Sequence, residues 1–294
     1  MLNKSLWTAI VTPFGAAGKN IDFKSLEKLL KLQEAAGNGV ILLGSTGEGL
    51  SLNDEERRQI IEFAFNLKLK IPLMSGVPSH NFIAALEWIE FCNQFPLAGY
   101  LMTTPIYAKP GIIGQTQWFE KLLQASNHQC MLYNIPSRAG IKLHVEAVRN
   151  LSTNKKFAAI KDSSGTVDSL VEYKMAAPNI AIYCGDDYLM PAASAESAAQ
   201  GLISVASNVW LTATNKYVQL CLEGVRLDSK LWWQACKALF AASNPIPVKA
   251  LLHHLGVISH ATVRLPLSLN DLKSIDELAL VNQLIINWEK QYAL

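Results

Sequence analysis

Eight short apolar runs, each followed by a longer amphipathic stretch, predict an α/β chain folded as a closed (β/α)8 TIM barrel, with a C-terminal helical appendix. Two further observations support this. The runs are almost continuously apolar rather than alternating, as in parallel strands covered on both faces. The turn after the first run is Thr12-Pro13-Phe14, where an open doubly wound sheet usually carries glycines.

The strand candidates are 8–11, 39–43, 72–75, 98–102, 130–133, 157–161, 180–184 and 201–205. Two helices carry explicit start signals. Asp22 precedes Phe23, Leu26 and Leu30 at helical spacing, and Gly37 follows as a stop. Asn53 with Glu56 forms a capping box ahead of Ile60, Ile61 and Ala64. Past about residue 224 the strand rhythm ends, and 228–241, 246–256 and 270–292 read as helices. The expected division is a catalytic barrel over 1–225 and a C-terminal helical domain over 226–294.

Composition narrows the function. The chain has 294 residues, 50% of them hydrophobic, enough for a large core. Its 26 basic and 24 acidic side chains leave a net charge of +2. The only basic runs are the pairs Lys155-Lys156 and Arg57-Arg58, which argues against nucleic acid as a partner. No apolar stretch reaches the ~18 residues of a membrane span. The amino end lacks a signal-peptide core, and five scattered cysteines without a C-x-x-C pair fit a reducing cytoplasm as small buried residues. Among the six histidines no metal-ligand spacing occurs, so neither a metal nor metal-dependent aldol chemistry is expected.

Lys161 ends the apolar run Phe157-Ala158-Ala159-Ile160. Burying an unpartnered ammonium is costly, so a strand that points a lysine inward suggests an amine wanted neutral, as a nucleophile. From an ordinary pKa near 10.4, a drop to about 7.5 would raise the neutral fraction at pH 7 several hundredfold. The bland alternative is a lysine that ends a strand and snorkels to solvent. The other strand ends decide between them, because barrel active sites lie there. The second strand leads into Gly44-Ser45-Thr46-Gly47-Glu48, the fourth into Thr103-Thr104-Pro105-Ile106-Tyr107, and the fifth into Tyr133-Asn134-Ile135-Pro136-Ser137-Arg138. The seventh and eighth give Gly185-Asp186-Asp187 and Gly201-Leu202-Ile203-Ser204. Each has an ordinary reading as a turn, a core tyrosine or a surface arginine; their joint occurrence favours a site. Asp186 and Asp187 would repel a phosphate, which points to a small carboxylate substrate.

The segments 44–48, 133–140 and 160–165 resemble those of the pyruvate-dependent class I aldolase, or N-acetylneuraminate lyase, family. Tyr-x-x-Pro with a lysine 28 positions on, and G-[ST]-T-G-E upstream, is a specific combination. The similarity runs from Thr12-Pro13-Phe14 to Asn244-Pro245-Ile246-Pro247-Val248-Lys249 and Arg264-Leu265-Pro266. Arg138 places the chain in the synthase branch, since sialic acid lyases carry an apolar residue there; a guanidinium can hold a second carboxylate in bidentate fashion.

What the resemblance implies is a condensation of pyruvate with L-aspartate 4-semialdehyde in lysine and diaminopimelate synthesis, with no cofactor beyond a Schiff base between Lys161 and pyruvate. Tyr133 would shuttle protons, with Ser45 and Tyr107 extending a hydroxyl relay; Tyr107 would serve a neighbouring copy in a homotetramer built from tight dimers. Thr46 would hold the pyruvate carboxylate and Arg138 that of the semialdehyde. Ile203 would offer a backbone carbonyl, and Gly185 lies at the same mouth as a further substrate contact. The other reading is a lyase that cleaves a keto-deoxy sugar acid with the same imine.

The chain departs from the pattern in places. Ser45 replaces the usual threonine and loses the methyl that restrains χ1. Asp162-Ser163-Ser164 stands where many synthases have Glu-Ala or Glu-Ser. At the effector site of lysine-inhibited members, a glutamate and a tyrosine are replaced by Ala84 and Ile106, so inhibition by lysine is expected to be weak or absent.

Overall fold

The computed structural model describes residues 2–227 and 229–292. Eight parallel strands close in sequence order into a barrel: β1 (Leu6–Ala9), β2 (Gly39–Leu42), β3 (Leu73–Val77), β4 (Gly99–Thr103), β5 (Gln129–Asn134), β6 (Phe157–Asp162), β7 (Ala181–Cys184) and β8 (Gly201–Ser204). Helices surround it, and every predicted strand is present. The first begins two residues before the predicted start. Val11 leaves the ladder because its amide donates to Asn208 Oδ1 at 3.0 Å.

The chain forms two compact units, Met1–Ser5 with Leu73–Ile203, and Leu6–Pro72 with Ser204–Leu294. In the first, β3 to β7 pair in sequence, and the β5–β6 ladder carries one irregularity. Cys130 faces Phe157 but Met131 faces Ala159, so the register advances by one residue. That shift sets Tyr133 opposite Lys161 and Asn134 opposite Asp162. Because side chains alternate faces along a strand, an unshifted ladder would set Tyr133 opposite Ile160 and Lys161 on the other side.

In the second unit, helix Phe23–Ala36 starts at Asp22, whose carboxylate accepts from the Ser25 amide, and ends at Gly37 with φ of 71°. Helix Asp54–Asn66 opens on the reciprocal Asn53–Glu56 capping box. Carboxyl-terminal helices run over Ser229–Leu239, Ile246–His254 and Asp276–Tyr292. Residue 228, where the first of these was predicted to begin, lies outside the described residues. The last helix, expected from residue 270, starts at Asp276, whose amide donates to Ser274 Oγ at 3.0 Å. Trp232 is the aromatic centre of this unit: it stacks on Tyr217 at 4.0 Å and meets Trp288 edge-on at 5.2 Å.

Among the described residues no helix is long and apolar enough to cross a membrane. All five cysteines are buried.

Candidate active site

Lys161 lies one residue from the end of β6 and is 6% exposed. Its Nζ sits 4.2 Å from the centroid of the Tyr133 ring, on the neighbouring strand. Tyr133 is buried, and its carbonyl accepts from both the amide and the hydroxyl of Thr104. The end of β5 is thereby tied to the segment after β4.

The adjoining pair locks β5 to β6. Asn134 Nδ2 donates to Asp162 Oδ1 at 2.5 Å, and Ser164 Oγ donates to Oδ2 at 2.8 Å. Asn134 Oδ1 accepts the Leu143 amide at 2.8 Å, which ties down the segment that follows the short helix bearing Arg138. Burial raises the Asp162 carboxyl above its ordinary value, and the bonds from Asn134 and Ser164 work in the opposite direction.

Gly185, just past β7, is required for close approach. A Cβ there would lie 2.0 Å from Ser163 Oγ and 2.9 Å from Lys161 Cε. The stem of the lysine therefore passes through space that only glycine leaves open. Asp186 follows, with Oδ2 accepting the Gly165 amide at 3.1 Å. Burial pushes its carboxyl up to about 6, against the pull of the Gly165 amide and of neighbouring Lys161.

The structure thus brings Lys161, Tyr133 and Gly185 together. Ile203, on β8, is fully buried. Arg138 is exposed on a single-turn helix, Pro136–Ala139. Tyr107 is 95% exposed and holds a left-handed φ of 67°, its amide donating to Ala139 O.

In the second unit, Ser45 is half-buried and Thr46 buried, both in the tight turn after β2. The Glu48 amide donates to Ser45 O at 3.1 Å and the Gly49 amide to Gly44 O at 3.1 Å. Thr46 Oγ1 accepts from Asn244 Nδ2 at 2.9 Å, which leaves its own proton for an acceptor. Thr12 Oγ1 donates to Gly47 O at 2.7 Å.

A buried ion pair that was not among the expected site residues closes this turn. Glu48 Oε1 lies 2.5 Å from Lys249 Nζ, with side-chain exposures of 1% and 0%. Lys249 also donates to Thr262 O at 2.9 Å and sits 4.1 Å from the Phe14 ring centroid. Glu48 Oε2 accepts the Arg264 amide at 2.9 Å. Burial lowers the Lys249 amine to about 8, and its bond to Glu48 opposes that. The signal was present in the G-S-T-G-E and N-P-I-P-V-K segments, but pairing a glutamate with a lysine 201 positions away requires the fold.

Among the described residues no group of three or more His, Cys, Asp or Glu side chains is placed to hold a metal ion.

A closed parallel barrel with a buried lysine at the carboxyl end of a strand, flanked by a tyrosine, defines a (β/α)8-barrel enzyme. The sequence profile of the Dihydrodipicolinate synthetase family matches residues 3–283, and the chain belongs to that family. It is 57% identical over 290 residues to the 4-hydroxy-tetrahydrodipicolinate synthase of Wolbachia pipientis subsp. Culex pipiens (strain wPip), covering 99% of each chain. Among solved structures it resembles the 4-hydroxy-tetrahydrodipicolinate synthase from Methylacidiphilum fumariolicum SolV, with a TM-score of 0.90, 28% identity and 98% of both chains covered. It also resembles the chloride-inhibited dihydrodipicolinate synthase from Acinetobacter baumannii, solved in complex with pyruvate, with a TM-score of 0.87 and 27% identity over 97% of this chain and 98% of that one.

Proposed function

We propose that this enzyme condenses pyruvate with L-aspartate 4-semialdehyde through a Schiff base on Lys161, giving 4-hydroxy-tetrahydrodipicolinate for lysine and diaminopimelate synthesis. The observation that carries the reading is the buried Lys161 amine set over the Tyr133 ring. The 57% identical synthase supports the substrate pair, and the Acinetobacter complex supports pyruvate.

In the proposed cycle the Lys161 amine attacks the ketone carbon of pyruvate, and water leaves as the imine forms. The protonated imine is an electron sink, so a methyl proton is lost and an enamine results. The enamine carbon attacks the semialdehyde, whose aldehyde oxygen becomes the product hydroxyl. The substrate's own amine then displaces Lys161 and closes the ring. Tyr133 is assigned the proton transfers at the imine carbon, relayed through Ser45 and Tyr107. Thr46 is assigned the pyruvate carboxylate, Arg138 the second carboxylate, and the backbone at Ile203 and Gly185 the remaining substrate contacts. No cofactor enters this scheme. The exposure of Tyr107 fits a role completed by another copy, and we assign the working form as a cytoplasmic homotetramer of paired dimers.

Borohydride reduction with pyruvate, followed by mass spectrometry, tests the proposal: a reduced pyruvyl adduct on Lys161 is expected, and its absence ends the proposal. Arg138→Ala separates the two substrate readings. Loss of turnover with the semialdehyde supports the synthase, whereas faster turnover of a keto-deoxy sugar acid than of the semialdehyde by the unaltered enzyme would favour the lyase.

A further inference from the structure

We propose that the buried Glu48–Lys249 pair is a positioning device for the turn that presents Thr46, and that it sets the enzyme's preference for ketones bearing a carboxylate. The inference rests on the reading above in which Thr46 receives the ketoacid carboxylate.

Three consecutive residues of the turn are each held by a different side chain: Thr46 by Asn244, Gly47 by Thr12 and Glu48 by Lys249. Two of the three holders come from one short segment, just before and just inside the start of helix Ile246–His254. The turn has little freedom to settle elsewhere. Leu43 and Glu48 flank it with left-handed φ values of 62° and 51°, and such strain persists in non-glycine residues only where the surroundings impose it.

Stability alone gives no reason to keep this pair. Apolar replacement of a buried ion pair is often neutral or stabilising, because desolvating two charges offsets their attraction. What charges supply is direction. The Lys249 ammonium is aimed at Glu48 Oε1 and Thr262 O, and the other Glu48 oxygen takes the Arg264 amide. Glu48 is thus fixed from both sides, two residues from the hydroxyl that needs an exact place. Tight placement of a binding group matters because small displacements cost large factors in rate and affinity.

The test compares pyruvate with acetone, which forms the same imine but has no carboxylate. Lys249→Met and the double variant Glu48→Gln/Lys249→Met are trapped with borohydride over a range of each ketone, and folding is checked by circular dichroism. The expected result is a rise of roughly tenfold in half-saturating pyruvate with acetone trapping unchanged. Half-saturation by pyruvate within about twofold of the unaltered enzyme, or equal losses for both ketones, overturns the proposal. If the single variant does not fold, the double variant, which leaves no uncompensated buried charge, decides by the same criteria. If neither folds, the pair is a brace of the fold and the proposal is wrong. Unaltered enzyme that acetone or pyruvate never labels at Lys161 removes the underlying reading instead, a separate result.

Discussion

Gly185 stands against the stem of Lys161: a Cβ built on this glycine would lie 2.9 Å from Lys161 Cε and 3.0 Å from the carbonyl oxygen of Asp162. The carbonyl cannot move without disturbing the end of β6, since the Gly185 amide donates to it at 2.7 Å. Gly185→Ala must therefore displace the lysine, the Ser163 hydroxyl, or the strand end. The expected outcome is a loss of stability of about 1–3 kcal/mol and a fall of at least roughly tenfold in borohydride trapping of pyruvate. Urea unfolding and adduct mass spectrometry measure the two effects separately.

Tyr133→Phe keeps the ring under the Lys161 amine and removes only the phenolic oxygen. Turnover is expected to fall by about 10²–10⁴, the usual worth of a positioned proton-transfer group. The denaturation midpoint should stay close to that of the unaltered enzyme, because the packing surface is retained. Normal turnover by a folded variant would remove Tyr133 from the proton-transfer role.

Asp186 makes stability depend on pH in an unusual sense for a carboxylate. Its folded value, about 6, stands above the ordinary 3.8. Between these values the folded protein holds a proton that the unfolded chain has released, so this group's contribution declines as pH rises through the window. Asp186→Asn removes the effect. Relative to the unaltered enzyme, the variant should gain about 1 kcal/mol on moving from pH 5 to pH 8. Denaturant titrations at the two pH values test this; an unchanged difference would show that Asp186 is not held protonated.

Inhibition by lysine should be weak or absent. Ala84 sits in the first turn of the helix Phe82–Cys92 and Ile106 in the segment after β4. Neither can replace an ion pair or a hydroxyl hydrogen bond to the effector. An assay with pyruvate and the semialdehyde across added L-lysine is expected to show little inhibition, and half-inhibition at submillimolar lysine would refute the expectation.

Much of this architecture was legible in the sequence, for identifiable reasons. Strand runs such as 39–43 and 157–161 are bounded and apolar, so the eight-fold rhythm stands out, and the Asn53–Glu56 cap is a local signal that the structure reproduces. That Lys161 and Tyr133 end neighbouring buried strands was legible from their positions in two apolar runs, whereas their roles rest on the family resemblance. Three features were hidden. The helix Pro136–Ala139 is a single turn, too short for periodicity to show. The late start of the last helix goes with a single serine hydroxyl, Ser274 Oγ, that takes the Asp276 amide, a signal easily lost among neighbouring polar residues. The Glu48–Lys249 pair joins residues whose charges look solvated in sequence and meet only through the fold.

The one-residue advance between β5 and β6 makes the facing of two side chains hang on a residue that enters neither substrate reading. Ala158 is the residue passed over, since Cys130 faces Phe157 and Met131 faces Ala159. Taking it into the ladder would even out the pairing and turn position 161 away from Tyr133, with no change to any side chain at the strand ends.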